Sequence, residues 1–155
     1  MELREAPVAE AGMLNRRPVA EVFEAIVDPA ITTRFWFTHS SGRLDEGKPV
    51  QWEWRMYGVS TRVEVSELIR DERIVMQWGE PPTRVVWTFT AMPDASTFLE
   101  VRNSGFAGTG DEQVGQAIGS TDGFALVLAG AKAWLEQGVA LGLIGDRHPR
   151  GAPSS

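Results

Sequence analysis

The sequence has no cysteine, which excludes disulfides, thiolate chemistry and Cys-ligated zinc or iron–sulfur sites. It has only two histidines, His39 and His148, and they are far apart along the chain. Neither they nor Asp45-Glu46 provide the closely spaced ligands that a metal ion needs. The glycines of residues 105–110 have neither the spacing nor the lysine of a phosphate-binding loop. We therefore predict no metal and no cofactor.

Long hydrophobic runs and clustered positive charge are also missing. No apolar run reaches the roughly 18 to 20 residues that cross a bilayer, and residues 1–11 carry charges instead of a signal-peptide core. The formal net charge is -6, from 21 acidic and 15 basic residues, and the basic residues are scattered. We predict a cytoplasmic protein with no membrane span and no nucleic-acid partner.

What is present is enough apolar material for one core. The chain has 155 residues, 43% of them hydrophobic, and six are tryptophan. This is the size of one ordinary domain. We predict a single domain over residues 1–145 and a disordered tail over residues 146–155.

The stretch after Pro18 has the spacing of a short amphipathic helix, which Asp28-Pro29 ends. Its apolar positions are Val19, Val22, Phe23, Ile26 and Val27. A second helical turn is predicted over residues 30–35, next to the aromatic step Phe35-Trp36-Phe37.

The middle of the chain has a two-residue rhythm, typical of strands with one buried face. Turn residues interrupt it at 57–58, 71–72, 79–82 and 93–96. We therefore predict consecutive antiparallel hairpins. The inward positions are Val50, Trp52, Trp54, Met56, Val59, Thr61, Val63, Val65, Ile74, Met76, Trp78, Val85, Trp87, Phe89, Ala91, Leu99 and Val101.

Helical spacing returns after residues 105–110 and predicts the longest helix of the chain. Its apolar stripe is Phe124, Val127, Leu128, Ala131, Trp134, Leu135 and Gly138. A strand-rich middle between a short and a long helix predicts an α+β protein whose sheet buries one face against helices.

Several strings in this order resemble the START-like helix-grip superfamily, in the branch related to the activator of the ninety-kilodalton heat-shock protein ATPase. The resemblance covers residues 17–149. The strings are Val22-Phe23-Glu24-Ala25 leading to Asp28-Pro29, Phe35-Trp36-Phe37, Asn103-Ser104-Gly105-Phe106, and GFALVLAGAKAWLEQG from Gly123 to Gly138.

The resemblance implies a curved antiparallel sheet wrapped around a long C-terminal helix, with a cavity between them. Similar proteins include lipid carriers, hormone receptors, polyketide cyclases and self-sacrificing resistance proteins, so the resemblance does not transmit a reaction. Two positions depart from the family pattern. Phe37 stands where many relatives have Gly, and Asn103 stands where His is frequent, which argues against proton transfer at that position.

The tryptophans are the main candidates for a binding site, because Trp52, Trp54, Trp78 and Trp87 share the inward phase. Large aromatic side chains commonly line small-molecule pockets, although the same rings can simply fill a core. A strand phase wrong by one residue would instead bring Glu53, Arg55 and Tyr57 inward. The predicted ligand-binding residues are Trp36, Trp52, Trp54, Met56, Trp78, Trp87, Phe89, Asn103, Phe124 and Leu128.

Polar candidates for catalysis are few. His39 beside Ser40-Ser41, and Ser104 after Asn103, lack the strand-to-helix elbow of a hydrolase serine. A solvated loop position explains His39 more simply than a catalytic one. We assign no catalytic residue, and the sequence favours a non-enzyme.

Three functions remain open. The first is binding of a small hydrophobic or aromatic molecule in the internal cavity, and the second is a polyketide cyclase- or hydrolase-like reaction in that cavity. The third is a chaperone-interacting module. An antiparallel sheet also leaves open edges that a second copy could cover, so a homodimer is compatible with the sequence, although no residue decides it.

Overall fold

The computed structural model describes residues 1–152, which form a helix-grip α+β fold, as predicted. Within these residues one sheet of seven antiparallel strands has the order β1-β7-β6-β5-β4-β3-β2. The strands are β1 (Ala9–Asn15), β2 (His39–Ser40), β3 (Val50–Trp54), β4 (Val59–Ile69), β5 (Arg73–Trp78), β6 (Thr83–Ala91) and β7 (Thr97–Ser104). The helices are α1 (Val19–Val27), α2 (Pro29–Thr32), α3 (Gly110–Gln137) and α4 (Leu143–Arg147).

The predicted meander is confirmed from β3 to β7, because each of these strands pairs with the next one along the chain. A β-bulge between Val65 and Glu67 shifts the register of β4 on β5. Such a bulge bends its strand and increases the local twist.

Strand β1 was not predicted. It pairs along its whole length with β7, from Ala9 opposite Asn103 to Asn15 opposite Thr97. Its sequence, AEAGMLN, has small and polar residues on both faces and therefore little alternation. Because of this pairing, β1 lies at one edge of the sheet, next to β7.

The two short helices share Asp28 as a junction. Pro18 is the N-cap of α1, and five apolar residues of α1 are buried. Asp28 ends α1 and caps α2, where its carboxylate accepts a hydrogen bond from Ala30 N at 3.0 Å. The predicted helix and the helical turn after it are thus both present, although α2 ends at Thr32.

Helix α3 is the long helix that the sequence predicted. A capping box starts it, because Thr109 Oγ1 accepts from Glu112 N and the Glu112 carboxylate accepts from Thr109 N. Gly138 ends it with φ of 65°, which a residue with a side chain rarely adopts. The buried residues of α3 are Ala117, Phe124, Val127, Leu128, Gly130 and Ala131.

The predicted disordered tail is wrong at its start. Asp146 and Arg147 are the last residues of helix α4. The Tyr57 hydroxyl donates to the carbonyl oxygens of Ile144 (3.3 Å) and His148 (2.8 Å), which holds this segment against the β3–β4 connection. Residues 153–155 of the predicted tail lie outside the described residues.

No helix in residues 1–152 has both the length and the apolar character needed to cross a bilayer.

Candidate ligand-binding site

Seven rings meet between the sheet and α3, and we call this group the aromatic cluster. Its members are Trp36, Phe37, Trp52, Trp54, Trp78, Trp87 and Phe124. Trp36 is the centre, because its ring centroid lies between 4.8 and 6.4 Å from each of the other six. Most of these pairs are edge-to-face, a favourable arrangement for aromatic quadrupoles.

The sheet and α3 supply five of the seven rings. Strand β3 carries Trp52 and Trp54, β5 ends at Trp78, and β6 carries Trp87. Phe124 faces them from α3 and lies 5.7 Å from Trp78 and 5.6 Å from Trp87, centroid to centroid. The predicted inward phase is therefore correct at these strand positions.

Trp36 and Phe37 instead come from an irregular segment between α2 and β2. Thr32 fixes its start, since the buried hydroxyl donates to Ala25 O (2.6 Å) and Asp28 O (2.9 Å). Thr38 fixes its end, since its hydroxyl donates to Glu53 O (2.8 Å). The segment between these two threonines thus enters the molecule as a short loop with anchored ends.

An open cavity was expected between the sheet and α3, and it stays a prediction. The Trp36 ring lies in that space, with the rings of Trp52, Trp78, Trp87 and Phe124 around it. Two hollows of residues 1–152 lie elsewhere, at the surface. The sequence showed that many rings face inward, but not that a loop would place one of them in the middle.

Trp87 brings an unpaired polar atom into the cluster. Its ring is fully buried, and its Nε1 has no hydrogen-bond partner among residues 1–152. A buried N–H without a partner costs about 1 to 3 kcal/mol. Trp36, its neighbour at 5.7 Å, cannot remove this cost, because an indole has a donor and no acceptor.

Asn103 is buried beside the cluster and joins α3 to the sheet. Its Nδ2 donates to Thr83 Oγ1 and to Arg84 O, each at 2.9 Å. Its Oδ1 accepts from the Ser120 hydroxyl at 2.8 Å. Both amide hydrogens are therefore used, and only one acceptor lone pair is left for another group.

The structure places Met56, one of the predicted lining residues, at the surface and outside the aromatic cluster. Strand β3 ends at Trp54, and residues Arg55–Tyr57 form a 3-10 helix, so the alternation stops before Met56. Its side chain is 50% exposed. The apolar alternation continued in the sequence, but the turn before Gly58 began earlier than the pattern indicated.

The other predicted residues lie in the core. Leu128 is fully buried on α3, and Phe89 is buried on β6. The Phe89 ring packs edge-to-face on Phe23 of α1 at 5.1 Å and makes no ring pair with the aromatic cluster. Phe89 therefore lies on the α1 side of the core.

The candidate polar groups His39, Ser40 and Ser41 lie on the edge strand β2 and just after it. His39 is exposed, and its Nδ1 lies 3.0 Å from the Thr38 hydroxyl. Ser41 Oγ accepts from Gln51 N at 2.8 Å, and the Ser40 hydroxyl donates to Gly42 O at 2.7 Å, so both serines order the loop between β2 and β3. This placement agrees with a structural role.

Sequence reasoning missed three contributors to this region. Phe37 stacks on Trp52 at 4.4 Å, although we noted it only as a departure from the family pattern. Thr83 and Ser120 complete the hydrogen bonds of Asn103. No local signal distinguishes these two hydroxyl residues, because their pairing depends on the distance between β6 and α3.

A surface groove next to α1 contains the main charge cluster. Ala20, Ile31, Trp134 and Leu135 form its apolar part, with Glu21, Glu24 and Arg70 at its rim. Arg43 donates to both carboxylate oxygens of Glu24, at 2.6 and 2.8 Å, and Arg70 donates at 2.9 Å. The hydrogen bonds from Arg43, with a smaller contribution from Arg70, lower the pKa of Glu24 to about 2.

A long helix held by a curved antiparallel sheet defines the helix-grip class of proteins. Residues 16–136 match the family model of Activator of Hsp90 ATPase homolog 1-like proteins. The chain belongs to this family. No functionally curated protein matches the sequence.

Solved structures share the fold of this chain. The protein SSP2350 from Staphylococcus saprophyticus is similar at 26% identity and a TM-score of 0.75, over 86% of this chain and 95% of that one. The Aha1 dimer from Colwellia psychrerythraea, a solution structure, has 17% identity and a TM-score of 0.72, over 84% and 97%.

A third similar structure is DynU16, a protein of the dynemicin biosynthetic locus. It has 23% identity and a TM-score of 0.71, over 86% of this chain. The chain spans about half of that longer protein, 49% of its length. At this identity the likeness shows the fold alone.

Proposed function

We propose that the protein binds one small, predominantly apolar molecule between the sheet and α3, at the aromatic cluster. The observation that carries the proposal is that rigid elements hold aromatic walls facing one another around Trp36, a ring that a loop carries. Aromatic side chains offer large contact areas at a low entropic cost, as in many small-molecule sites. The proposed ligand contacts are Trp36, Trp52, Trp54, Trp78, Trp87, Phe124 and Leu128, with Asn103 and Phe89 at the margins.

The polar lining of this site is sparse, which favours binding over catalysis. Asn103 uses both amide hydrogens within the protein, and His39 lies at the surface. A cyclase- or hydrolase-like enzyme would need a positioned acid, base or nucleophile at the substrate. A cyclase- or hydrolase-like reaction is therefore the second candidate function, and the fold alone supports it.

Titration with small apolar molecules tests the proposal. Binding should quench tryptophan fluorescence and raise the melting temperature, because a ligand that binds only the folded state stabilises it. Trp54→Ala and Trp78→Ala should weaken binding while the proteins remain folded. Trp134→Ala, which changes an indole outside the cluster, is the matched control.

Native mass spectrometry of the purified protein provides a second test without a chosen ligand. We expect a small apolar molecule that co-purifies with the wild-type protein and not with Trp78→Ala. If a broad set of hydrophobic molecules gives no quenching, no melting shift and no co-purified mass, the proposed function is wrong.

Chaperone interaction and self-association are separate proposals. The family description suggests measuring the ATPase rate of the host Hsp90-type chaperone with and without the protein, where stimulation would support the chaperone alternative.

The dimeric neighbour and the two edge strands, β1 and β2, support a homodimer. Sedimentation velocity should then give a mass near twice the 17.0 kDa of one chain.

A further inference from the structure

We propose that Trp36 acts as an internal plug, and that the ligand which replaces it is a neutral, flat aromatic molecule of about indole size with one hydrogen-bond acceptor. This inference rests on the proposed function and deepens it. The ring of Trp36 sits among six others, and the backbone N–H of this residue donates to Thr32 O at 3.0 Å.

The surrounding rings are held more firmly than the plug. Trp52, Trp78 and Trp87 are on paired strands, and Phe124 is in the interior of a 28-residue helix. Moving the backbone at any of these four would break a ladder or a helix, whereas moving Trp36 shifts the short segment between Thr32 and Thr38. That segment also carries Phe37, whose ring stacks on Trp52 at 4.4 Å. The site therefore has fixed walls and one loop-borne segment with Trp36 at its centre.

Trp36 also has a route to solvent. The residue, backbone included, is 7% exposed, whereas Trp52 and Trp87 are 1% and 0% exposed. Trp36 thus lies nearer the surface than these two walls of the site. A rotation of residues 33–37 that moves the ring outward would open the space between Trp52, Trp87 and Phe124.

The unpaired Nε1 of Trp87 defines the chemistry of the replacement. The plug is a donor-only indole, so it leaves this buried N–H unsatisfied. A ring of similar size with an acceptor nitrogen or oxygen would fill the same space and accept that hydrogen bond. The seven rings of the cluster include no charged group, so a charged ligand would lose its hydration without compensation.

A matched pair of ligands separates shape from hydrogen bonding. Quinoline and naphthalene have the same fused-ring shape, but only quinoline has an acceptor nitrogen. We expect quinoline to bind the wild-type protein about fivefold more tightly, the ratio that a net hydrogen bond of ordinary strength gives. Trp87→Phe should abolish this preference, because it keeps an aromatic ring and removes the N–H.

Movement of the plug is measured in the wild-type protein by fluorine NMR after incorporation of 5-fluorotryptophan. Trp36→Phe identifies the Trp36 resonance, and the shift difference between H2O and D2O reports its solvent exposure. On addition of quinoline, we expect the Trp36 resonance to acquire the isotope shift of an exposed ring. The Trp52 resonance should stay buried.

The Trp36→Ala variant provides a second measurement. With the plug removed, the ligand no longer competes with an internal ring, so quinoline should bind at least about tenfold more tightly than to the wild-type protein. If this variant does not fold, the wild-type spectra still decide.

The outcomes separate this inference from the proposed function. Bound quinoline with Trp36 still buried would overturn the plug and leave the proposed function intact, and so would tighter binding to wild type than to a folded Trp36→Ala. Equal affinities for quinoline and naphthalene would overturn the role of Trp87 Nε1. Absence of binding to both proteins would contradict the proposed function itself.

Discussion

Trp36 and Asn103 hold the molecule together by different interactions. The Trp36 ring packs against every other member of the aromatic cluster, whereas the Asn103 amide connects α3 to β6 through hydrogen bonds. Losing a packed central ring, or the hydrogen bonds of a buried amide, lowers the free energy of unfolding substantially. Two substitutions measure these contributions.

Trp36→Ala removes the ring at the centre of the cluster. We expect it to lower the free energy of unfolding by about 3 to 5 kcal/mol, because the six surrounding rings cannot all collapse into the space. Urea unfolding measures the change. Trp134→Ala, whose ring is partly exposed, should cost clearly less. Equal losses would show that Trp36 is poorly packed.

Asn103→Leu replaces the buried amide by a side chain of similar size. It leaves the Arg84 carbonyl and two hydroxyls without their present partner, so we expect a loss of about 2 kcal/mol in urea unfolding. Ser120→Ala removes only one of the three bonds and should cost about 1 kcal/mol. A variant as stable as the wild-type protein would contradict this account of Asn103.

At the scale of elements, the packing of helix α3 differs along its length. Its middle and end pack on the core, while Gly115, Gly119 and Gly123 recur every fourth residue with open space beside them. Gly130 differs, because a Cβ there would lie 3.1 Å from Phe35 Cβ and 3.3 Å from Phe35 O. The helix thus approaches the loop that carries Trp36 at Gly130.

Paired alanine substitutions test this difference. Gly119→Ala should gain up to about 1 kcal/mol of helix propensity and raise the melting temperature by about 2 to 4 °C. Gly130→Ala brings the same gain in helix propensity, but its methyl group must displace Phe35. We therefore expect a lower melting temperature for Gly130→Ala than for Gly119→Ala. Equal melting temperatures would show that the Phe35 segment moves freely.

At the scale of the whole molecule, Glu24 connects separate parts of the chain. Its carboxylate on α1 binds Arg43 in the loop after β2 and Arg70 in the turn between β4 and β5. The pKa of Glu24 is about 2 in the folded protein, below the usual 4.5. A lowered pKa stabilises the folded state above the unfolded pKa, and this contribution is lost as the pH falls through the folded pKa.

Acid unfolding measures this connection. Wild-type stability should exceed that of Glu24→Gln by about 1 to 2 kcal/mol above pH 5, a range reduced because the carboxylate is partly solvated. The difference should disappear between about pH 5 and pH 2. Glu64→Gln, which alters a surface pair with Arg62 at 3.6 Å, is the control. A difference that persists unchanged at pH 2 would contradict the assignment.

The sequence by itself determined the class of fold and most of the inward-facing residues. Apolar alternation in β3 to β7 and helical spacing in α1 and α3 are local patterns, so Trp52, Trp54, Trp78, Trp87 and Phe124 could be placed correctly. Strand β1 could not, because its weak alternation gains meaning only from pairing with β7, about ninety residues later.

Only the tertiary structure decided how the space between sheet and helix is used. Whether inward rings leave a hollow or fill it depends on the path of the loop after α2, which Thr32 and Thr38 fix through contacts with α1 and β3. The surface position of Met56 and the unpaired Nε1 of Trp87 likewise depend on contacts between distant segments. Periodicity records which face is buried, whereas close packing in three dimensions determines what each buried atom meets.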